Sequence, residues 1–82
     1  MIEIRIRLFA LLKELVGREE CGLSLSGDAS CREALIHLKN QFRLPEGILE
    51  SCMVAVNGVY TERNALLQAG DELAVLPPVS GG

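Results

Sequence analysis

Residues 30–43 read Ser-Cys-Arg-Glu-Ala-Leu-Ile-His-Leu-Lys-Asn-Gln-Phe-Arg, and their pattern predicts the principal helix of the chain. Ser30 and Glu33 have the spacing of a capping box, in which each side chain accepts a hydrogen bond from the backbone amide of the other residue. Apolar side chains recur every three or four residues, the period of one helix face, at Cys31, Ala34, Leu35, Leu38 and Phe42. A helix of this kind has to bury its apolar face against another layer of structure.

Segments on both sides of this helix alternate apolar and polar residues, and this alternation predicts the strands of the second layer. The sequence predicts five strands, at residues 1–8, 20–25, 52–56, 59–61 and 73–76, and a short helix over residues 10–16. Asn57 and Gly58 predict a two-residue hairpin turn, because both turn positions require a positive φ. The order of elements indicates an α+β fold, a mixed sheet with the principal helix packed on one face.

Composition and charge exclude several classes of function. The chain has 82 residues, which favours one domain and is short for an enzyme that encloses its own active site. A net charge of −3 and a pI near 5.0 oppose binding to nucleic acids or anionic membranes, which use clustered Lys and Arg. No apolar stretch approaches the roughly 20 residues that cross a bilayer, and the N-terminus does not resemble a signal peptide. We therefore expect a cytoplasmic protein that binds neither nucleic acid nor membrane.

The three cysteines, Cys21, Cys31 and Cys52, match no Cys-x-x-Cys pattern of a metal or redox site. We expect reduced, mostly buried thiols and no bound metal. His37 is the one histidine and lies off the apolar stripe of the principal helix, which favours a solvent-exposed side chain over a ligand or a base. The sequence shows no arrangement of side chains that would activate a cysteine as a nucleophile.

The sequence closes with Pro77-Pro78-Val79-Ser80-Gly81-Gly82, which predicts a projecting tail. Each proline fixes φ and lacks an N–H, so the pair ends the last strand and directs the following residues away from the sheet. The two glycines lack a Cβ and can pass through a channel too narrow for larger residues. We predict a folded domain over residues 1–76 and a tail over residues 77–82 whose terminal carboxylate is the reactive group. A frayed terminus or a cloning scar is the alternative.

Strand parity predicts an apolar patch on the sheet face that the principal helix leaves uncovered. Residues that alternate with the core-facing positions point outward, and the hairpin turn pairs Ala55 with Tyr60. The outward apolar residues are Phe9, Ala55, Tyr60 and Leu76, with Arg5 and Arg7 at their rim. An exposed patch of this kind commonly marks a protein interface, and scattered apolar residues on an ordinary sheet face are the alternative.

Five features of the sequence resemble the small subunits of molybdopterin synthase, and the likeness spans nearly the whole chain. They are the N-terminal aliphatic strand, Phe9-Ala10 followed by Glu14-Leu15-Val16-Gly17, the stretch Val54-Ala55-Val56-Asn57-Gly58, the stretch Gly70-Asp71-Glu72-Leu73, and the Pro-Pro-x-x-Gly-Gly ending. This family consists of ubiquitin-like sulfur carriers, and the ending is its most specific mark. The resemblance implies a β-grasp domain over residues 1–76 and a projecting tail over residues 77–82.

The resemblance also implies a chemistry and a set of partners. A ubiquitin-activating-type enzyme would use ATP to adenylate Gly82, and a sulfur donor would convert the adenylate to a thiocarboxylate. The large subunit of molybdopterin synthase would then use this sulfur to build the dithiolene of molybdopterin. The other residues implied are Val79, Ser80 and Gly81 in the tail, and Phe9, Tyr60 and Leu76 at the partner interface.

The residues themselves favour the same division of labour between the chain and its partners. An ATP site needs a glycine-rich loop with Lys or Arg around the phosphates, and the sequence contains no such loop. We therefore expect a non-catalytic sulfur-donor subunit that binds no cofactor alone, with ATP bound by the activating partner. Three classes of function stay open: a sulfur carrier of the molybdopterin or thiamine pathway, a ubiquitin-like protein modifier, and a plain interaction module.

Overall fold

A computed structural model describes residues 1–78, which form five strands and two α-helices. The elements are β1 (Ile2–Leu8), α1 (Ala10–Val16), β2 (Glu20–Leu25), α2 (Cys31–Phe42), β3 (Met53–Val56), β4 (Val59–Thr61) and β5 (Glu72–Leu76). Each predicted element is present, with bounds that differ from the prediction by one residue at most. Neither helix in this part of the chain has the length and apolar character needed to cross a membrane.

The strands form one mixed sheet with the order β2-β1-β5-β3-β4. β1 and β5 are parallel neighbours at its centre, whereas β2 pairs antiparallel with β1, and β3 pairs antiparallel with both β4 and β5. A parallel pair requires a long crossover connection, and the chain between β1 and β5 supplies it with α2 on one face of the sheet. The predicted α+β class is confirmed, and the mixed sheet with α2 on one face agrees with the β-grasp fold that the resemblance implies.

Helix α2 begins and packs as its sequence pattern predicts. The Glu33 amide donates to Oγ of Ser30 and the Ser30 amide donates to the Glu33 carboxylate, both at 3.4 Å, so the capping box is formed. The stripe residues that are buried in the core are Cys31, Ala34, Leu35 and Leu38. His37 is exposed, as predicted. The helix therefore joins the sheet through one continuous apolar face.

The turn between β3 and β4 is the predicted hairpin turn. Asn57 and Gly58 have φ angles of 51° and 84°, in the left-handed region that such a turn requires. The Asn57 side-chain amide donates to the Asp71 carboxylate at 3.0 Å, and its carbonyl oxygen accepts from the Glu72 amide at 3.0 Å. These two bonds tie the turn to the start of β5, the strand that leads to the tail.

The junction of β1 and α1 contains a strained residue. Ala10 has a φ of 51°, a conformation that costs a residue with a Cβ roughly 1–2 kcal/mol. The turn carries the chain from the sheet into α1, in which Leu12 is buried while Leu11 and Leu15 are exposed. Helical spacing therefore predicts α1 correctly, although part of its apolar face lies in solvent.

Replacement of Leu38 by alanine is expected to lower the free energy of unfolding by about 2–5 kcal/mol, because it leaves a cavity beneath α2. Leu38 is 0% exposed and belongs to the core. His37→Ala, on the neighbouring exposed position, is expected to change the stability by no more than about 0.5 kcal/mol. Urea denaturation of both variants measures the difference, and equal stabilities would contradict the packing of α2.

Candidate functional site

The base of the predicted tail lies at the centre of the sheet. β5 ends at Leu76, which pairs with Met53 on β3, and Val75 pairs with Leu8 on β1. Pro77 and Pro78 follow the strand without regular structure. The predicted tail residues Val79, Ser80, Gly81 and Gly82 lie outside the described residues, and their roles stay predictions.

The sheet face opposite α2 has the parity that the sequence predicts. Leu73 and Val75 of β5 are completely buried, so the residues that alternate with them point to the other face. On that face, Tyr60 is 65% exposed, and Phe9 and Leu76 are half-buried. The structure therefore places the three predicted contact residues on one face, next to the base of the tail.

Two residues of this face differ from the prediction. Ala55 was predicted as a member of the exposed patch, but it is only 6% exposed. Its short side chain lies between two neighbouring strands, in the row between Tyr60 on β4 and Ala74 on β5. Met53, which was not predicted as part of the patch, contributes an exposed apolar side chain instead. It pairs with Leu76 and is 54% exposed. Strand parity could have identified Met53, because it alternates with the buried Val54. We call Phe9, Met53, Tyr60 and Leu76 the tail-base surface.

Charged residues border the tail-base surface on one side. Glu72 forms ion pairs with Arg5 at 3.7 Å and with Arg7 at 3.8 Å. Arg5 forms a second ion pair, with Glu20, at 3.5 Å. The Arg7 guanidinium also lies over the Phe9 ring, 5.7 Å from its centroid. Exposed ion pairs contribute at most about 1 kcal/mol each. This cluster therefore contributes little to stability and mainly gives the apolar surface a polar rim, which is typical of a protein interface.

The cysteines have the environment of core residues. Cys21, Cys31 and Cys52 are buried and reduced, as predicted. Burial raises the pKa of each thiol above its ordinary value, so the thiolate form that nucleophilic catalysis requires is disfavoured. Among residues 1–78, no three His, Cys, Asp or Glu side chains lie close enough together to hold a metal ion. The three thiols therefore lack the environment of a nucleophilic cysteine.

Iodoacetamide is expected to leave all three thiols of the native protein unmodified at neutral pH, over a time in which it alkylates all three in the denatured chain. Burial blocks access to each sulfur, and the raised pKa keeps it protonated. Intact-mass measurement counts the adducts. Rapid alkylation of any thiol in the folded protein would show that this cysteine is more accessible than the structure indicates.

Comparison with known proteins shows which family this chain resembles. The family model described as "ThiS family" matches residues 6–82. The chain is 35% identical to a molybdopterin synthase sulfur carrier subunit of Arabidopsis thaliana, over 99% of this chain and 84% of that protein.

Two solved structures are similar to this chain along nearly its whole length. The crystal structure of SAMP1, small archaeal modifier protein 1, from Haloferax volcanii has a TM-score of 0.87 with 32% identity, and the match covers 98% of this chain and 99% of that chain. A chain in the protein–protein complex of subunits 1 and 2 of molybdopterin-converting factor from Helicobacter pylori 26695 has a TM-score of 0.63 with 25% identity, and the match covers 99% of this chain and 100% of that chain. Together with the family match, these similarities show that the chain belongs to the ThiS family of β-grasp proteins.

Proposed function

We propose that this chain is a sulfur carrier for molybdopterin synthesis and that the carboxyl group of Gly82 carries the sulfur. The observation that supports this most strongly is the similarity to a molybdopterin synthase sulfur carrier subunit over 99% of the chain. The position of the tail base beside an exposed apolar surface agrees with the proposal. A tail that leaves the centre of the sheet can enter a partner's pocket while the tail-base surface docks outside it.

The proposed chemistry needs an activating partner. A carboxylate is a poor electrophile, because its negative charge and resonance both oppose nucleophilic attack. In the proposed first step, a Gly82 carboxylate oxygen attacks the α-phosphorus of ATP on the activating enzyme, and pyrophosphate leaves. Hydrosulfide, supplied by a sulfur donor at the oxidation level of sulfide, then attacks the acyl carbon, and AMP leaves. The thio acid that forms loses its S–H proton, so that a thiocarboxylate remains. Enclosure in the partner keeps water from the acyl adenylate.

The second proposed partner is the large subunit of molybdopterin synthase, which receives the sulfur. The similarity to a chain in the Helicobacter pylori complex of subunits 1 and 2 of molybdopterin-converting factor supports such a pairing. The tail-base surface is the proposed contact, since aromatic and methionine side chains are enriched at protein interfaces. Both partners would then use the same surface in turn, because each of them has to admit the same tail.

A protein modifier is the second candidate, and the likeness to small archaeal modifier protein 1 favours it. The activation step is common to both functions. They differ in the nucleophile that attacks the activated Gly82: a sulfur donor leaves a thiocarboxylate, whereas a lysine amine leaves an isopeptide bond to another protein.

Mass spectrometry of the chain from its native cells distinguishes the two functions. An N-terminal tag leaves the Gly82 carboxyl free, and the tagged protein is purified under denaturing conditions that preserve both products. The carrier function predicts free chain with a thiocarboxylate at Gly82 and no isopeptide adducts. Adducts that join Gly82 to lysines of other proteins, without thiocarboxylate, would favour the modifier function.

A further inference from the structure

A cleft lies beside α2, on the side of the molecule away from the tail-base surface. Its volume is about 390 Å³, and its walls are α2 and the loops that precede β3 and follow β4. The lining residues are Arg32, Leu35, Ile36, Lys39, Leu49, Glu50 and Arg63. The family resemblance assigns no role to these positions.

Arg63 gives this cleft a fixed wall. Its Nη2 donates to the backbone carbonyls of Leu49 at 2.6 Å, Glu50 at 3.0 Å and Cys52 at 2.6 Å. One guanidinium group therefore ties the loop before β3 to the loop after β4. A binding surface that is already ordered loses less conformational entropy when a ligand binds.

The cleft presents guanidinium donors that the protein does not use. A guanidinium has five N–H donors, and within residues 1–78 the Nε and Nη1 groups of Arg63 have no hydrogen-bond partner. Arg32 is oriented by a single bond, from Nη2 to the Asn64 side-chain oxygen at 3.3 Å. Each guanidinium therefore keeps its positive charge and N–H groups on Nε and Nη1, which can donate to an anionic group such as a carboxylate.

The other charges of the cleft limit what it can bind. Lys39 donates to Glu46 at 2.7 Å, so its charge is already paired, and Glu50 adds an acidic group to the wall. The cationic side chains at the cleft are Arg32, Lys39 and Arg63, and the acidic ones are Glu50 and the neighbouring Glu46. This region is therefore positive in a chain whose net charge is −3. The charge therefore favours an anionic ligand over a cationic one.

An apolar strip completes the cleft. Leu35 and Leu49 are buried at its base, while Ile36 is 52% exposed on the outer face of α2. A small inorganic anion would contact the guanidiniums and leave Ile36 in water. An acidic peptide segment with an aliphatic side chain would satisfy both parts of the surface.

We infer that this cleft docks an acidic, aliphatic segment of a partner protein, with a carboxylate on Arg32 and Arg63 and an aliphatic side chain on Ile36. The inference goes beyond the proposed sulfur transfer and does not depend on it. Because the cleft and the tail-base surface lie on opposite sides of the sheet, both can be occupied at the same time. The chain could then stay attached to one protein while its tail is in another.

The test uses the full chain and two synthetic peptides, each acetylated and amidated at its ends. The first is Asp-Leu-Glu-Leu-Asp, and the second is the uncharged counterpart Asn-Leu-Gln-Leu-Asn. NMR titration is expected to shift the methyl signals of Ile36 and the Nε signals of Arg32 and Arg63 with the acidic peptide alone. Arg32→Gln and Ile36→Ser, both at exposed positions, are each expected to weaken this binding by about tenfold or more.

Arg18→Gln is the matched control, since Arg18 is exposed and does not line the cleft. It is expected to bind the acidic peptide as the unmodified chain does. Absence of shifts at millimolar acidic peptide, or equal shifts with the uncharged peptide, would overturn the inference. Inorganic phosphate that shifts the same signals and displaces the peptide would show a small-anion site and would overturn it as well.

Discussion

Deletion of Gly82 is expected to lower the rate of thiocarboxylate formation at least about 100-fold, without changing thermal stability. The proposed reacting group is the terminal carboxyl, and removal of one residue moves this group by about 3.5 Å. A misplacement of roughly 1 Å is enough to cost about 100-fold in a reaction that depends on a near-attack geometry. The core residues of the described part end at Val75, so the deletion removes none of them.

Extension by one glycine after Gly82 is the companion variant, because it moves the carboxyl in the other direction. Both variants are incubated with ATP, the activating enzyme and a sulfur donor, and intact mass reports the product. Retained binding to the large subunit and an unchanged melting temperature serve as controls for the fold. Thiocarboxylate formation at the normal rate by either variant would show that the position of the Gly82 carboxyl is not decisive.

Tyr60→Asp is expected to weaken binding to the large subunit about 30-fold or more, which corresponds to the roughly 2 kcal/mol of an interface hot spot. Tyr60 is largely exposed on the edge strand β4, so the new carboxylate is solvated in the free chain. Association would remove the new carboxylate from water without supplying an opposite charge to pair with it. Leu76→Asp is expected to act in the same direction, since Leu76 lies on the same face.

Val59→Asp provides a matched control for Tyr60→Asp. Val59 is the neighbouring residue on β4, is also exposed, and points to the other face of the sheet. Isothermal titration calorimetry with the large subunit is expected to give nearly the same affinity for Val59→Asp as for the unmodified chain. An equal loss of affinity in both variants would show that the tail-base surface is not the interface.

The sequence predicts the fold well because its local signals agree with the tertiary structure. The capping box of Ser30 and Glu33, the apolar stripe of α2, and the turn at Asn57 and Gly58 all depend on short-range geometry. The turn also determines the register of the hairpin: it pairs Ala55 with Tyr60, as predicted. Strand parity then places Leu76 on the outer face.

The remaining features depend on contacts between distant segments, which local patterns do not contain. The burial of Ala55 goes with its place on β3, between the neighbouring strands β4 and β5, and parity alone does not predict it. One wall of the cleft beside α2 is formed where Arg63 bonds to the carbonyls before β3. In the sequence, Arg63 is only one member of a polar stretch, and the helix gives no sign of the loop that faces Ile36.

The most direct test of the central claim is the intact mass of the unmodified chain after incubation with ATP, the activating enzyme and a sulfur donor. We expect the mass increase that accompanies replacement of one oxygen by sulfur, and fragmentation is expected to assign it to Gly82. Omission of ATP is expected to abolish the change. An unchanged mass under complete conditions, or sulfur found on Cys21, Cys31 or Cys52 instead of Gly82, would contradict the proposed function.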